Sequence, residues 1–202
     1  MAKKKKLTHI YIKDKRVFAT LARSGTMSRD TFHKLEVSDN RIKTYKQAGL
    51  IREVSVPDKH GTGIRTFYEL NKKGKEFCRQ ECGIKSFISN GNASVHNAKV
   101  SEYLANNLSK KELDSVMSER ELKPFIESRL QEYLDKQEHD HYEELMDALK
   151  NNQLSMPDII YKTEQGIFEA IEIITDSYGN TDIEAKTMTC ELLSVEVTFV
   201  HT

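Results

Sequence analysis

The chain has 202 residues, 38% hydrophobic and 31% charged, which suits one large or two small globular domains with a heavily solvated surface. Nine glycines and three prolines exclude a collagenous or Pro/Gly-rich disordered chain, and no apolar run approaches the ~20 residues that span a bilayer. The formal net charge of zero hides an asymmetry: residues 1–90 carry 21 Lys and Arg against 9 Asp and Glu, and residues 91–202 carry 10 against 22.

The start, MAKKKKLTHIYIK, is basic but lacks an apolar h-region, so it reads as an arm rather than a signal peptide. Three cysteines (Cys78, Cys82 and Cys190) are too few for a disulfide framework and suggest a reducing, cytoplasmic setting. Asp14–Arg23 places Val17, Phe18 and Leu21 on one helical face, with Gly25 as a stop signal. Ser28 can cap a second helix, Arg29–Val37, and Ser38 a third, Asp39–Ala48, which Gly49 ends. Leu50–Val56 and Arg65–Leu70 read as strands flanking the turn PDKHGTGI, and Asn71 can cap a fourth helix to about Cys82. SFISNGNAS, Ser86–Ser94, has the composition of a linker.

With Ile42 set inward on the third helix, Tyr45 and Gly49 fall on the same side, while Asn40, Thr44 and Gln47 point away, flanked by Arg41 and Lys43. Asn and Gln match adenine edges and Arg matches guanine, so this polar, basic set suits a DNA groove. Lys59, His60 and Arg65, on or beside the hairpin tip, suit phosphate or minor-groove contact. A polar face on any surface helix would look similar, and the two oppositely charged halves could instead attract each other or their copies. Cys78 and Cys82 share a helix face but lack further ligands, so they read as buried or partner-facing thiols. His139 and His141 read as exposed members of an acidic helix.

In the acidic half, Asn97–Asn107 is expected as a helix and Leu113–Ser118 as a short strand. Glu121–Asn151 is expected as long and helical, either an insertion or dimerisation arm or a helix packed on its own sheet. Asp158–Tyr161 and Ile167–Thr175 follow as strands joined by the turn KTEQG, then a helix over Thr181–Leu192 and a strand over Leu193–Val200.

Three helices and a hairpin over residues 8–83, with the AGLI and F-Y-x-L-x-x-x-G texture, resemble a winged helix-turn-helix. The later order, with Pro157-Asp158 before one strand and Glu172 in the next, resembles the restriction-endonuclease-like fold of the PD-(D/E)xK superfamily. The whole chain is similar to the replication-relaxation family of mobile elements. The matching positions are His96 and Val100, the run Ser118–Leu122, Pro157-Asp158, Glu172 and Lys186.

The resemblance implies an α+β chain. A winged domain over residues 1–88 would precede an α/β endonuclease-like domain over 95–202 with a helical insertion. It implies binding of double-stranded DNA, as a homodimer, with a replication, relaxase or transcription partner and no membrane. If the second domain cuts DNA, Asp158, Glu172 and Glu102 would hold Mg²⁺ and Lys186 would assist the chemistry. The position two after Glu172 is Ile174, where the motif has lysine, so a non-catalytic scaffold is the favoured expectation and no cofactor is then required.

Overall fold

The computed structural model describes Leu7 and residues 9–57, 63–88, 94–117, 119–175 and 178–201. The chain is α+β, with nine helices and two three-stranded sheets among the described residues. None of these helices is long and apolar enough to cross a membrane. The fold divides into two compact units, residues 1–114 and 115–202. Counted that way, the first unit holds 24 Lys and Arg against 12 Asp and Glu, and the second 7 against 19, so the charge division follows the structural one.

The first unit runs α1 (Ile12–Ser24), β1 (Met27–Ser28), α2 (Arg29–Lys34), α3 (Asp39–Ala48), β2 (Ile51–Pro57), β3 (Ile64–Leu70), α4 (Lys72–Glu81), α5 (Ser94–Asn107) and α6 (Lys110–Ser115). Its core forms where the helical stripes meet. Val17, Phe18 and Leu21 of α1, Phe32 of α2, and Ile42 and Tyr45 of α3 are all buried. The rings of Phe18 and Tyr45 meet edge to face at 5.1 Å, as do Phe32 and Tyr68 at 5.3 Å, a preferred aromatic geometry. The sheet order is β1-β3-β2, with Met27 opposite Tyr68 and Val54 opposite Phe67. Asn71 caps α4 by accepting from the Gly74 N–H, and Ser28 caps α2 by accepting from the Thr31 N–H. Ser38 precedes α3 in extended conformation, but its side chain makes no capping bond. Gly74 is required by space: a Cβ there would lie 2.0 Å from the Leu50 carbonyl oxygen.

The expected domain boundary near residues 88–95 is displaced. α5 packs on α1, β1 and α2 and belongs with the first unit. It buries Val100 and Leu104, and Arg16 of α1 donates to the carbonyls of Ala105 and Leu108, at 3.2 and 3.0 Å. The strand expected over Leu113–Ser118 does not form: 113–115 end α6, with Leu113 buried, 116 and 117 have no regular structure, and Ser118 lies outside the described residues.

The second unit runs α7 (Glu119–Asp135), α8 (His139–Lys150), β4 (Ile159–Lys162), β5 (Phe168–Ile174), α9 (Asn180–Leu192) and β6 (Glu196–His201). β4 and β5 are antiparallel and β5 and β6 parallel, in the order β4-β5-β6. α9 makes the crossover that a parallel pair needs. Ser115, which ends α6 and opens the second unit, and Met117 beyond it serve the sheet edge: the Met117 N–H donates to the Ile160 carbonyl, and Ser115 Oγ bonds both the N–H and the carbonyl of Lys162. One sheet face, with Ile160, Ala170 and Phe168, packs against Phe125, Ile126 and Tyr133 of α7, Leu145 of α8 and Cys190 of α9. The long insertion helix is in fact two. Gln137 adopts φ 62° and the Glu138 N–H turns back to the Tyr133 carbonyl, which closes α7 with a left-handed cap.

Candidate functional site

The residues singled out from the sequence fall mainly into two groups, one in each unit. In the first unit the outward face of α3 forms as the periodicity predicts. Ile42, Tyr45 and Ala48 are buried, and Asn40, Lys43 and Gln47 are exposed. Thr44 is half-buried, and its hydroxyl donates to the Asn40 carbonyl at 2.8 Å, so its donor is spent within the helix. Arg65 is exposed on β3. Lys59 and His60 lie outside the described residues.

Arg41 departs from its expected place on that face. Its guanidinium turns back to Asp14 of α1 and donates to both carboxylate oxygens, and it also reaches the His9 carbonyl at 2.6 Å. It lies over the rings of Tyr11 and Tyr45, at 5.1 and 5.4 Å from their centroids. The Asp14 side chain is fully buried and also accepts from the Tyr45 hydroxyl and, at 2.7 Å, from the Tyr11 N–H. Burial alone would raise the Asp14 carboxyl, but the bonds from Arg41, the Tyr11 N–H and Tyr45 prevail and hold it below its ordinary value. Burial and the same carboxylate push the Tyr45 phenol up. Arg41 is therefore a positioning group that ties α3 to α1. A position-by-position reading could not assign it, because its partner lies 27 residues upstream on another helix.

The start of α3 is held from α2 as well. Asp39 accepts from Arg29 Nε at 2.7 Å and bonds His33 Nε2 at 3.0 Å. Hydrogen bonds from Arg29 and then His33 pull the Asp39 carboxyl down to about 2. These contacts link α2 to the start of α3 while leaving Asn40, Lys43 and Gln47 in solvent.

In the second unit Asp158, Glu172 and Lys186 do come together. The antiparallel register sets Asp158, just before β4, opposite Glu172 in β5. The Asp158 N–H donates to Glu172 Oε2 and the Ile173 N–H donates to Asp158 Oδ2, each at 2.9 Å. From α9, the Lys186 ammonium reaches Glu172 Oε1 at 2.8 Å and the Met156 carbonyl at 2.9 Å. Tyr178, which the sequence reading missed, donates its hydroxyl to Glu172 Oε1 at 2.6 Å. Burial and the Glu172 carboxylate push the Tyr178 phenol up, and burial followed by that same charge pushes the Cys190 thiol up to about 11. The only signal for Tyr178 was its place in the segment joining β5 to α9, at the end of the sheet where Glu172 sits. Glu169 faces the other side of β5, as its odd separation predicts, and accepts from the Tyr161 hydroxyl at 2.6 Å. Ile174 is a buried apolar residue.

This donor set does not fit a Mg²⁺ ion. Glu172 is fully buried, and its two oxygens already take an ammonium, a phenol and a backbone N–H. A hard octahedral cation needs open carboxylate oxygens and room for several waters. Among the described residues, no group of three or more His, Cys, Asp or Glu side chains is placed to hold one metal ion. The third expected ligand, Glu102, belongs to the first unit, where it pairs with Lys34 at 2.7 Å and Lys99 at 3.6 Å. Hydrogen bonding from Lys34 holds its carboxyl below the ordinary value.

Comparison with protein-family models, with curated proteins and with solved structures finds no match to this chain.

Proposed function

We propose that the first unit is a winged helix-turn-helix module that binds double-stranded DNA, with α3 in the major groove and the β2–β3 hairpin as the wing. The observation that carries this reading is the face of α3. Asn40, Lys43 and Gln47 stand in solvent on a helix whose opposite side is buried, within a unit of 24 cationic against 12 acidic residues. Asn and Gln supply paired donors and acceptors for adenine, and Lys43 supplies charge for guanine or phosphate. The element order from α1 to β3, with two helices joined by a four-residue connection, agrees with such a module. The second unit then acts as an assembly platform. It would pair two copies on adjacent half-sites or recruit a replication, mobilisation or transcription partner, and its excess of acidic residues keeps it off the phosphate backbone.

The test is fluorescence anisotropy of the full chain with labelled duplex over a salt series. Affinity should fall steeply with salt, with a slope of about −0.9 per phosphate neutralised. The combined substitution Asn40→Ala, Lys43→Ala and Gln47→Ala should weaken binding while leaving the circular dichroism spectrum intact. A salt-independent signal, or equal binding by the variant, overturns the reading.

Mg²⁺-dependent DNA cleavage stands second. The convergence of Asp158, Glu172 and Lys186 favours it, and the closed hydrogen bonding around Glu172 opposes it. Nicking of supercoiled DNA that requires Mg²⁺ and is lost in Asp158→Ala would reverse this order.

A further inference from the structure

We propose that the first unit holds a binding site for a small amphipathic anion, a carboxylate, sulfonate or phosphate carried on an apolar body, independent of its α3 face. A cavity of about 680 Å³ opens between the start of α1 and the end of α2, within the range of small-molecule pockets. Its apolar wall is made by Ile10, Tyr11, Ile12 and Leu35. Tyr11 and Ile12 are 54% and 77% exposed, so large apolar area there lacks protein cover. Four cations line the same space: Lys13, Arg16, Lys34 and Lys110, against one acid, Glu36.

Two of those cations spend their hydrogen bonds on neutral groups. Lys13 donates to the Glu36 carbonyl at 3.1 Å, and Arg16 donates to the Ala105 and Leu108 carbonyls. Neither carbonyl contact cancels a charge. Among the described residues, Lys34 alone of the four is matched by a carboxylate, that of Glu102. An anion would therefore gain charge-assisted bonds, and an apolar body would cover Tyr11 and Ile12. A bare anion gains only the first of these and a neutral apolar molecule only the second. The occupant must combine them. The wall is also one contact from α3, because the Tyr11 ring stacks on Arg41 and its N–H is held by Asp14.

The probe is 1-anilinonaphthalene-8-sulfonate, which is both anionic and aromatic, titrated into the native full chain and followed by its fluorescence. Competition uses decanoate, decanol, inorganic phosphate and a short DNA duplex. The expected result is saturable binding that decanoate displaces and that decanol and phosphate do not. In Lys13→Glu with Lys110→Glu, binding should be about tenfold or more weaker, since two charge-assisted contacts are lost. Circular dichroism and the urea midpoint of that variant establish that it folds. Lys13→Arg with Lys110→Arg should retain binding and serves as the charge-conserving control. Absence of saturable binding overturns the proposal. So does equal displacement by decanol, displacement by duplex but not by decanoate, or equal affinity in the folded Glu variant.

Discussion

Replacing Lys186 with methionine separates a structural acid–lysine cluster from a catalytic one. Methionine keeps most of the apolar stem and removes the ammonium that sits 2.8 Å from Glu172 Oε1. The Glu172 side chain has no solvent exposure, so water cannot replace what is lost. Among the described residues, only the Tyr178 hydroxyl and the Asp158 N–H remain to compensate the carboxylate. Breaking a buried pair in this way costs about 3–5 kcal/mol. With a urea m-value of about 2 kcal/mol/M, that loss moves the unfolding midpoint of the second unit down by roughly 2 M. The converse variant, Glu172→Met, should cost less through Lys186 itself, because that side chain is 13% exposed and can reach water. The double variant should be more stable than the sum of the single losses requires, with a coupling of about 1–3 kcal/mol. Far-UV circular dichroism in urea at neutral pH reads all four chains. A midpoint shift under roughly 0.3 M for Lys186→Met, or strict additivity, refutes the structural assignment. Groups kept for chemistry are commonly neutral or costly to stability, so little change in folding would return the cluster to the enzymatic reading.

Arg41→Met leaves the Asp14 carboxylate buried without its cation and should destabilise the first unit by about 3–5 kcal/mol, seen as a lowered melting temperature before any DNA is added. A DNA-contact role alone predicts normal melting. The folded-state pKa of Asp14 lies below its ordinary value of 3.8, so the stability it contributes is complete above that pH and is lost as pH falls through the folded value. Acid titration should therefore show a loss of first-unit stability below about pH 4 that Asp14→Asn shifts or abolishes. Gly74→Ala places a methyl 2.0 Å from the Leu50 carbonyl and should cost at least about 1–3 kcal/mol by thermal melt; an unchanged melt contradicts the close approach of α4 to the backbone joining α3 and β2.

Much of the fold was legible because local chemistry and tertiary structure agree. α3 runs over Asp39–Ala48 as its apolar spacing predicts, and Gly49 ends it with φ 70°. The hairpin, α4 and the β5–α9–β6 crossover fall within a few residues of their expected bounds. The misses share a cause. α2 ends at Lys34 and α7 at Asp135 through left-handed caps at Glu36 and Gln137, positions where glycine would have announced the turn. β1 is two residues long and exists only by pairing with β3, so no periodicity marks it. α5 lies beyond a linker-like segment, and only its packing on α1, β1 and α2 assigns it to the first unit. The site shows the same division. Exposure of Asn40, Lys43 and Gln47 followed from helix geometry alone. The ties of Arg41 to Asp14 and of Tyr178 to Glu172 depend on distances across elements that spacing does not encode.

Under the proposed function, the face of α3 reads duplex DNA. Selection from a random duplex library by the full chain tests it most directly. Recovered sequences should converge on a shared motif, and Asn40→Ala with Gln47→Ala should relax that motif while the Lys43 charge retains general affinity. A recovered pool with no common motif, or one identical for the native chain and the variant, contradicts the account.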